Sequence, residues 1–157
     1  MKCSTPLAIL ALLVAPVAYA KVQGVTEIEC GGQEWNMDQV QSASDESFDH
    51  IKAGTTVGKN DYPHKFNNRE GFEFSKDCTH PLYEFPIVSG GDYEGGPPKT
   101  DRVVIGAVKG DTAYFCGAIT HTGAVGNNFK ECRDQGNKTR SRAERRVMRR
   151  GVRLPSM

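Results

Sequence analysis

The sequence predicts an α+β domain: one long helix packed on a twisted antiparallel β-sheet and held by two disulfides. Three observations carry that prediction. Residues 36–54 form the one stretch with helical periodicity and a cap at each end. After it the pattern changes to period-two apolar runs separated by turn clusters, and the part of the chain expected to survive processing holds four cysteines. At 157 residues and a formal charge of +1, the chain is long enough for one ordinary domain and leaves little room for a separate cofactor domain. Seven Phe, five Tyr and one Trp supply enough bulk for a core and argue against a disordered chain.

The first element is a processing segment. Met1-Lys2 is followed by the apolar run Leu7–Val17 and by Ala18-Tyr19-Ala20, which are the three parts of a secretory signal cleaved after Ala20. The apolar run falls short of the roughly 20 residues that cross a bilayer, and nothing later is apolar enough to span. Residues 1–20 are therefore expected to leave, residues 21–132 to form the domain, and the mature protein to be secreted.

The helix comes next. Asn36 is a good N-cap with Gln39 at the capping-box position. Met37, Val40, Ala43, Phe48 and Ile51 then recur at helical spacing, and Gly54 stands where a left-handed C-terminal residue would end the helix. Leu82–Val88, Arg102–Val108 and Thr112–His121 are strand-like runs rich in Val, Ile and aromatics, and Asn128–Cys132 has the length of a short last strand. Ser89-Gly90-Gly91-Asp92 and Gly95-Gly96-Pro97-Pro98 punctuate them as hairpin connections, without the pattern of a phosphate loop.

The last segment, residues 133–157, carries nine basic and two acidic groups, a net +7, against ten basic and seventeen acidic groups, a net −7, in residues 21–132. Such segregation marks a disordered basic tail on a folded domain. Three readings of it stand: added grip on a polyanion, a propeptide exposed to cleavage at Arg145-Arg146 and Arg149-Arg150, or a solvated extension. Asn137-Lys138-Thr139 is the one glycosylation sequon.

Cys30, Cys78, Cys116 and Cys132 imply two disulfides in a secreted chain, with three possible pairings. No Cys-x-x-Cys and no paired His spacing supports a structural zinc. If Cys30 meets Cys132, a loop of about 100 residues closes, worth about 4–5 kcal/mol in the chain-entropy treatment.

Strand alternation then sorts side chains into faces. Tyr83, Phe85 and Ile87 share one face, suited to the core, and Glu84 points the other way. Tyr62 and His64 share a face if their segment is extended, as Pro63 encourages. Arg102 opens one strand and His121 closes another. One concave sheet face can thus gather two histidines, a carboxylate, an arginine and a tyrosine.

The strings that carry these residues are Tyr62-Pro63-His64-Lys65-Phe66-Asn67-Asn68-Arg69-Glu70-Gly71-Phe72, Tyr83-Glu84-Phe85-Pro86-Ile87, Asp101-Arg102-Val103-Val104 and the run Ile119–Phe129. In order and spacing they resemble the fungal guanyl-specific ribonucleases of the ribonuclease T-one type, closely over residues 55–132 and loosely over the helix. The resemblance implies a metal-independent endoribonuclease that cuts single-stranded RNA on the 3′ side of guanosine. Glu84 would be the general base toward the ribose 2′-OH, and His121 the general acid toward the departing 5′ oxygen. The product would be a 2′,3′-cyclic phosphate, then a 3′-phosphate with the two roles reversed. Tyr62, His64 and Arg102 would surround the phosphoryl oxygens, with Phe129 as an apolar wall.

The chemistry accounts for the residue types. Two proton transfers need two groups in opposite protonation states, which a carboxylate and an imidazolium supply. Charge building on phosphorus-bound oxygens needs fixed donors, and a guanidinium keeps its protons. The nucleophile is the substrate's own 2′-OH, so DNA is excluded by chemistry, and no metal or other cofactor enters. Base choice would rest on Phe66, Asn67, Asn68, Arg69, Glu70 and Asn127, with Glu70 accepting from the guanine edge. Two residues depart from the family pattern: Phe66 and Arg69 both stand where tyrosine is common. A guanidinium plane still stacks on a purine, so guanine preference is expected to survive. The resemblance also implies Cys30–Cys132 and Cys78–Cys116 pairing and cis bonds before Pro63 and Pro81.

The expected partner is single-stranded RNA, with no DNA and no membrane, and the protein is expected to be a monomer. Two rivals are weaker. A binding module of the same fold usually lacks catalytic residues, and none is missing here. A ribosome-directed toxin carries long basic loops within the domain, whereas this domain is acidic with short connections.

Overall fold

The computed structural model describes residues 21–136. The expected secretory segment, the sequon at Asn137 and the basic stretch from residue 137 onward lie outside the described residues. In chain order the elements are β1 (Val22–Gln23), β2 (Ile28–Cys30), β3 (Gln33–Trp35), α1 (Met37–Ala53), β4 (His64–Phe66) and β5 (Leu82–Pro86). They continue with β6 (Asp101–Lys109), β7 (Thr112–Thr120), β8 (Lys130–Glu131) and β9 (Arg133–Asp134).

Helix α1 starts and stops where local chemistry says it should. The Asn36 side chain accepts from the Gln39 backbone N–H, and the Gln39 side chain accepts in return from the Asn36 N–H, so two orphan donors are satisfied at once. Gly54 adopts φ 65° and its N–H reaches the His50 and Ile51 carbonyls, a left-handed end that a Cβ would penalise. The buried stripe is Val40, Ala43, Ser44, Ser47 and Phe48. It differs from the apolar stripe expected. Met37, in the first turn, is 49% exposed, and two serines take its place on the buried face. Ser44 Oγ donates back to the Val40 carbonyl, so its hydroxyl is satisfied without a partner on the sheet.

The main sheet runs β1-β7-β6-β5-β4, with β8 added to β7. The β4-β5, β5-β6, β6-β7 and β7-β8 pairs are antiparallel as expected, but β1 lies parallel to β7. That exception arises because the chain enters beside β7, where the Ala113 N–H donates to the Lys21 carbonyl. A second small sheet, β3-β2-β9, joins the two ends of the domain. Arg133 and Asp134 pair there with Glu29 and Ile28, so regular structure continues past Cys132.

The main sheet buries both faces. Against α1, Phe85, Ile87, Val103 and Ile105 reach 0–1% exposure and pack with Val40 at 0% and Phe48 at 3%. On the opposite face a smaller cluster joins Phe66, Leu82, Val104 and Ile119, with Phe72, Phe74, Cys116 and Phe129 packed against it. The bridges are Cys30–Cys132 and Cys78–Cys116, and the peptide bonds before Pro63 and Pro81 are cis.

Candidate active site

The face opposite the helix also carries the charged residues. Strand register puts His64 directly across from Glu84, Glu84 across from Val104, and Pro86 across from Arg102. Paired residues in a sheet point to the same side, so three strands present His64, Glu84 and Arg102 together. His121 follows β7 directly and is pinned by its N–H to the Thr100 carbonyl.

Glu84 is 8% exposed. Its Oε1 lies 3.2 Å from His64 Nδ1, while Oε2 is buried without a partner among the described residues. Burial pushes the Glu84 carboxyl above the usual carboxylate range, and the nearby His64 and Arg102 charges pull it partly back. The result is a carboxylate with one oxygen held and the other open, more basic than a solvated one.

His64 Nε2 meets the Asn60 carbonyl at 2.5 Å. Both ring nitrogens thus face acceptors, an arrangement that the doubly protonated ring satisfies in full. The Tyr62 ring stacks on His64 at 4.0 Å and 9°, and its hydroxyl accepts from Arg102 Nε at 3.1 Å. Burial raises the Tyr62 hydroxyl and the Arg102 charge opposes that shift.

Arg102 is 3% exposed. Its Nη1 donates to the carbonyls of Pro98, Lys99 and Asp101, and its guanidinium lies 5.1 Å from the Tyr62 ring centre. No carboxylate ion-pairs with it among the described residues. A buried cation held by carbonyls and a phenol is an anion site in waiting.

His121 Nδ1 lies 2.9 Å from the Asn128 carbonyl, which fixes the proton on that nitrogen and leaves Nε2 to exchange one. Its ring stacks on Phe129 at 4.0 Å. Its charge acts on Glu84, so the two expected proton carriers share one electrostatic environment.

The residues expected to choose the base sit on the loop after β4. Asn67, Arg69 and Glu70 are exposed. The Asn68 side chain instead closes the loop on itself, with Nδ2 donating to the Phe72 carbonyl and Oδ1 accepting from the Phe72 N–H. Glu70 Oε1 accepts from the Phe129 N–H at 3.0 Å, linking this loop to the wall beside His121. Phe66 is 6% exposed and edge-on to Phe129, so its ring belongs to that wall more than to an open platform. Asn127 is exposed on the neighbouring turn.

Sequence reasoning missed the groups that aim the others. The Asn60 and Asn128 carbonyls orient His64 and His121, yet every residue has a carbonyl and none advertises its use. Asp101 had a better signal, standing beside Arg102. It is 3% exposed and accepts from Trp35 Nε1, Thr100 Oγ1 and Thr120 Oγ1, which locks the strand ends carrying Arg102 and His121.

A profile of the ribonuclease family matches residues 23–133. Guanyl-specific ribonuclease T1 of Aspergillus oryzae is 43% identical over 127 residues, covering 78% of this chain and 93% of that protein. Guanyl-specific ribonuclease F1 of Fusarium fujikuroi is 42% identical over 125 residues, 80% of this chain and 88% of that one. Guanyl-specific ribonuclease U1 of Ustilago sphaerogena is 44% identical over 111 residues, 70% and 98% of the two chains.

Proposed function

Since this chain belongs to the family of fungal guanyl-specific ribonucleases, we propose that it is a secreted, metal-independent endoribonuclease cutting single-stranded RNA after guanosine. The observation that carries the mechanism is Glu84: a nearly buried carboxylate with one oxygen held by His64 and the other without a partner. An unsatisfied buried acceptor costs about 1–3 kcal/mol, and a ribose 2′-OH relieves that cost by donating to it.

In this reading Glu84 takes the 2′-OH proton and the freed oxygen attacks the adjacent phosphorus. Charge builds on the phosphoryl oxygens, where Arg102, the protonated His64 and the Tyr62 hydroxyl stabilise it. His121 gives its Nε2 proton to the departing 5′ oxygen and leaves a 2′,3′-cyclic phosphate. Water then opens the ring with Glu84 as acid and His121 as base, giving a 3′-phosphate. DNA lacks the nucleophile. Glu70 accepts from the ring imino and exocyclic amino groups of guanine, and adenine, which offers neither donor there, leaves it unpaired. The Phe129 N–H now bonded to Glu70 stands in for those donors, which supports the assignment. Two disulfides fit an oxidising compartment and hence export.

The test is incubation with a defined single-stranded RNA in EDTA, with fragment ends mapped by mass. Cyclic or 3′-phosphate ends after guanosine alone are expected. Cuts after several bases would keep the chemistry and overturn the Glu70 assignment; no cutting by folded, oxidised protein would overturn the enzyme.

A further inference from the structure

Between β4 and β5 the chain runs through residues 67–81 with no regular strand or helix. Among the described residues, the exposed side chains at its tip, Asn67, Arg69 and Glu70, make one hydrogen bond to the rest of the protein, from the Phe129 N–H to Glu70. Everything else that locates this loop lies behind it. Phe74 sits over Gly117, where an added Cβ would meet two ring carbons at 3.4 Å. At Gly106 a Cβ would overlap Leu82 Cδ2 at 2.6 Å and the Thr79 carbonyl at 2.9 Å. Two glycines on β6 and β7 thus open a trough in which the loop lies. The Cys78–Cys116 bridge then fastens it to β7, and the Ala107 N–H donates to the Thr79 carbonyl.

We propose that Phe74 and the Cys78–Cys116 bridge are positioning residues for base selection: they hold the loop so that Glu70 meets the base edge in one geometry. This rests on the reading of residues 66–70 as the base-recognition segment. The aromatic contacts give the route. Phe74 packs against Phe66 at 6.2 Å and Phe72 at 6.2 Å, and Phe66 meets Phe129 at 6.0 Å. Phe129 in turn supplies the N–H that Glu70 holds. By contrast, the hydrogen bonds of Glu84, His64 and Arg102 involve no residue of this loop. Loosening the loop should therefore weaken recognition of guanine while Glu84, His64 and Arg102 keep their geometry; His121, whose ring stacks on Phe129, is held separately by its N–H to the Thr100 carbonyl and its Nδ1 to the Asn128 carbonyl.

The experiment compares wild type with the Cys78→Ala/Cys116→Ala double variant on guanosine- and adenosine-leading dinucleoside phosphates, below each protein's unfolding temperature. The guanosine-over-adenosine ratio of kcat/KM is expected to fall roughly tenfold, through a higher KM for the guanosine substrate, with the pH profile of kcat unchanged. Phe74→Leu, which keeps the cluster apolar and the bridge intact, should move the ratio the same way by a smaller factor. A folded double variant with the wild-type ratio overturns the proposal. If the double variant does not fold, an unchanged ratio in Phe74→Leu overturns it. Wild type without guanosine preference overturns the underlying recognition reading instead, and is recognised before any variant is made.

Discussion

The two faces of the main sheet are built from the same strands and obey different rules. Toward α1, Phe85, Ile87, Val103 and Ile105 are fully buried, apolar and free of any demand for hydrogen bonds. Toward the cleft, the residues that alternate with them include Glu84 and Arg102, nearly as buried but charged. Among the described residues, one carries an oxygen without a partner, and the other is held by carbonyls and a phenol without a counter-carboxylate. Period-two alternation lets one strand serve both ends, Phe85 on one side and Glu84 on the other. The difference teaches where this molecule keeps its stability and where it gives it up. A fully buried aromatic is worth about 3–5 kcal/mol against truncation, which offsets an imperfectly satisfied carboxylate on the opposite face.

The sharpest way to break this division is Phe48→Ala on the helix side. It should cost about 3–5 kcal/mol of unfolding free energy, read from denaturant titration, with the rate of RNA cleavage close to wild type while the variant stays folded. A rate that fell in step with stability would mean the faces do not act separately. Glu84→Gln should do the reverse, slowing cleavage at least about a hundredfold while raising stability at pH 7. The sign follows from the raised Glu84 pKa. The folded state holds that proton more tightly than the unfolded one, so the contribution is full below about 4.5, the unperturbed value. It is lost as pH rises through the higher folded value. The stability gain of Glu84→Gln should therefore vanish in acid, and a gain equal at pH 4 and pH 7 would place its origin elsewhere. The smallest effect is expected from Arg69→Tyr. Arg69 is exposed and makes no hydrogen bond or ion pair among the described residues, so stability should move by less than about 0.5 kcal/mol. KM for a guanosine substrate should fall a few-fold, and a change confined to kcat would count against a stacking role.

The helix was legible because its signals are local: a capping box, a left-handed glycine and an apolar stripe all lie within a few residues of one another. The long strands were legible for the same reason, and alternation alone turned Glu84 away from Phe85. Strands of two or three residues such as β1, β2, β3 and β9 have no period to read; their existence is decided by what lies beside them. The parallel β1–β7 pair is one such case, set by Lys21 and Ala113, which are remote in sequence. In the site, residue types were readable and their supports were not. Asn128 holds His121 through its carbonyl, so its side chain carries no trace of the duty. Asp101 is held by Trp35, 66 residues earlier in the chain, a partner that no local pattern announces. The roles assigned to Glu84 and His121 came from resemblance; the register of β4, β5 and β6 supplies the juxtaposition of Glu84 with His64 and Arg102, and His121 stands at the end of β7.

The Cys30–Cys132 bridge has a consequence in time. It joins residues 102 apart, and the second cysteine lies eleven positions beyond His121. A chain emerging from a ribosome, itself an RNA machine, therefore carries Glu84, the proposed general base, before it carries His121, the proposed general acid. The knot that would hold the finished fold waits longer still, for Cys132 and for an oxidant. If Glu84 and His121 act as proposed, the order of synthesis works as a safety catch: the cell that makes this protein handles an incomplete catalyst until the later of the two has been delivered.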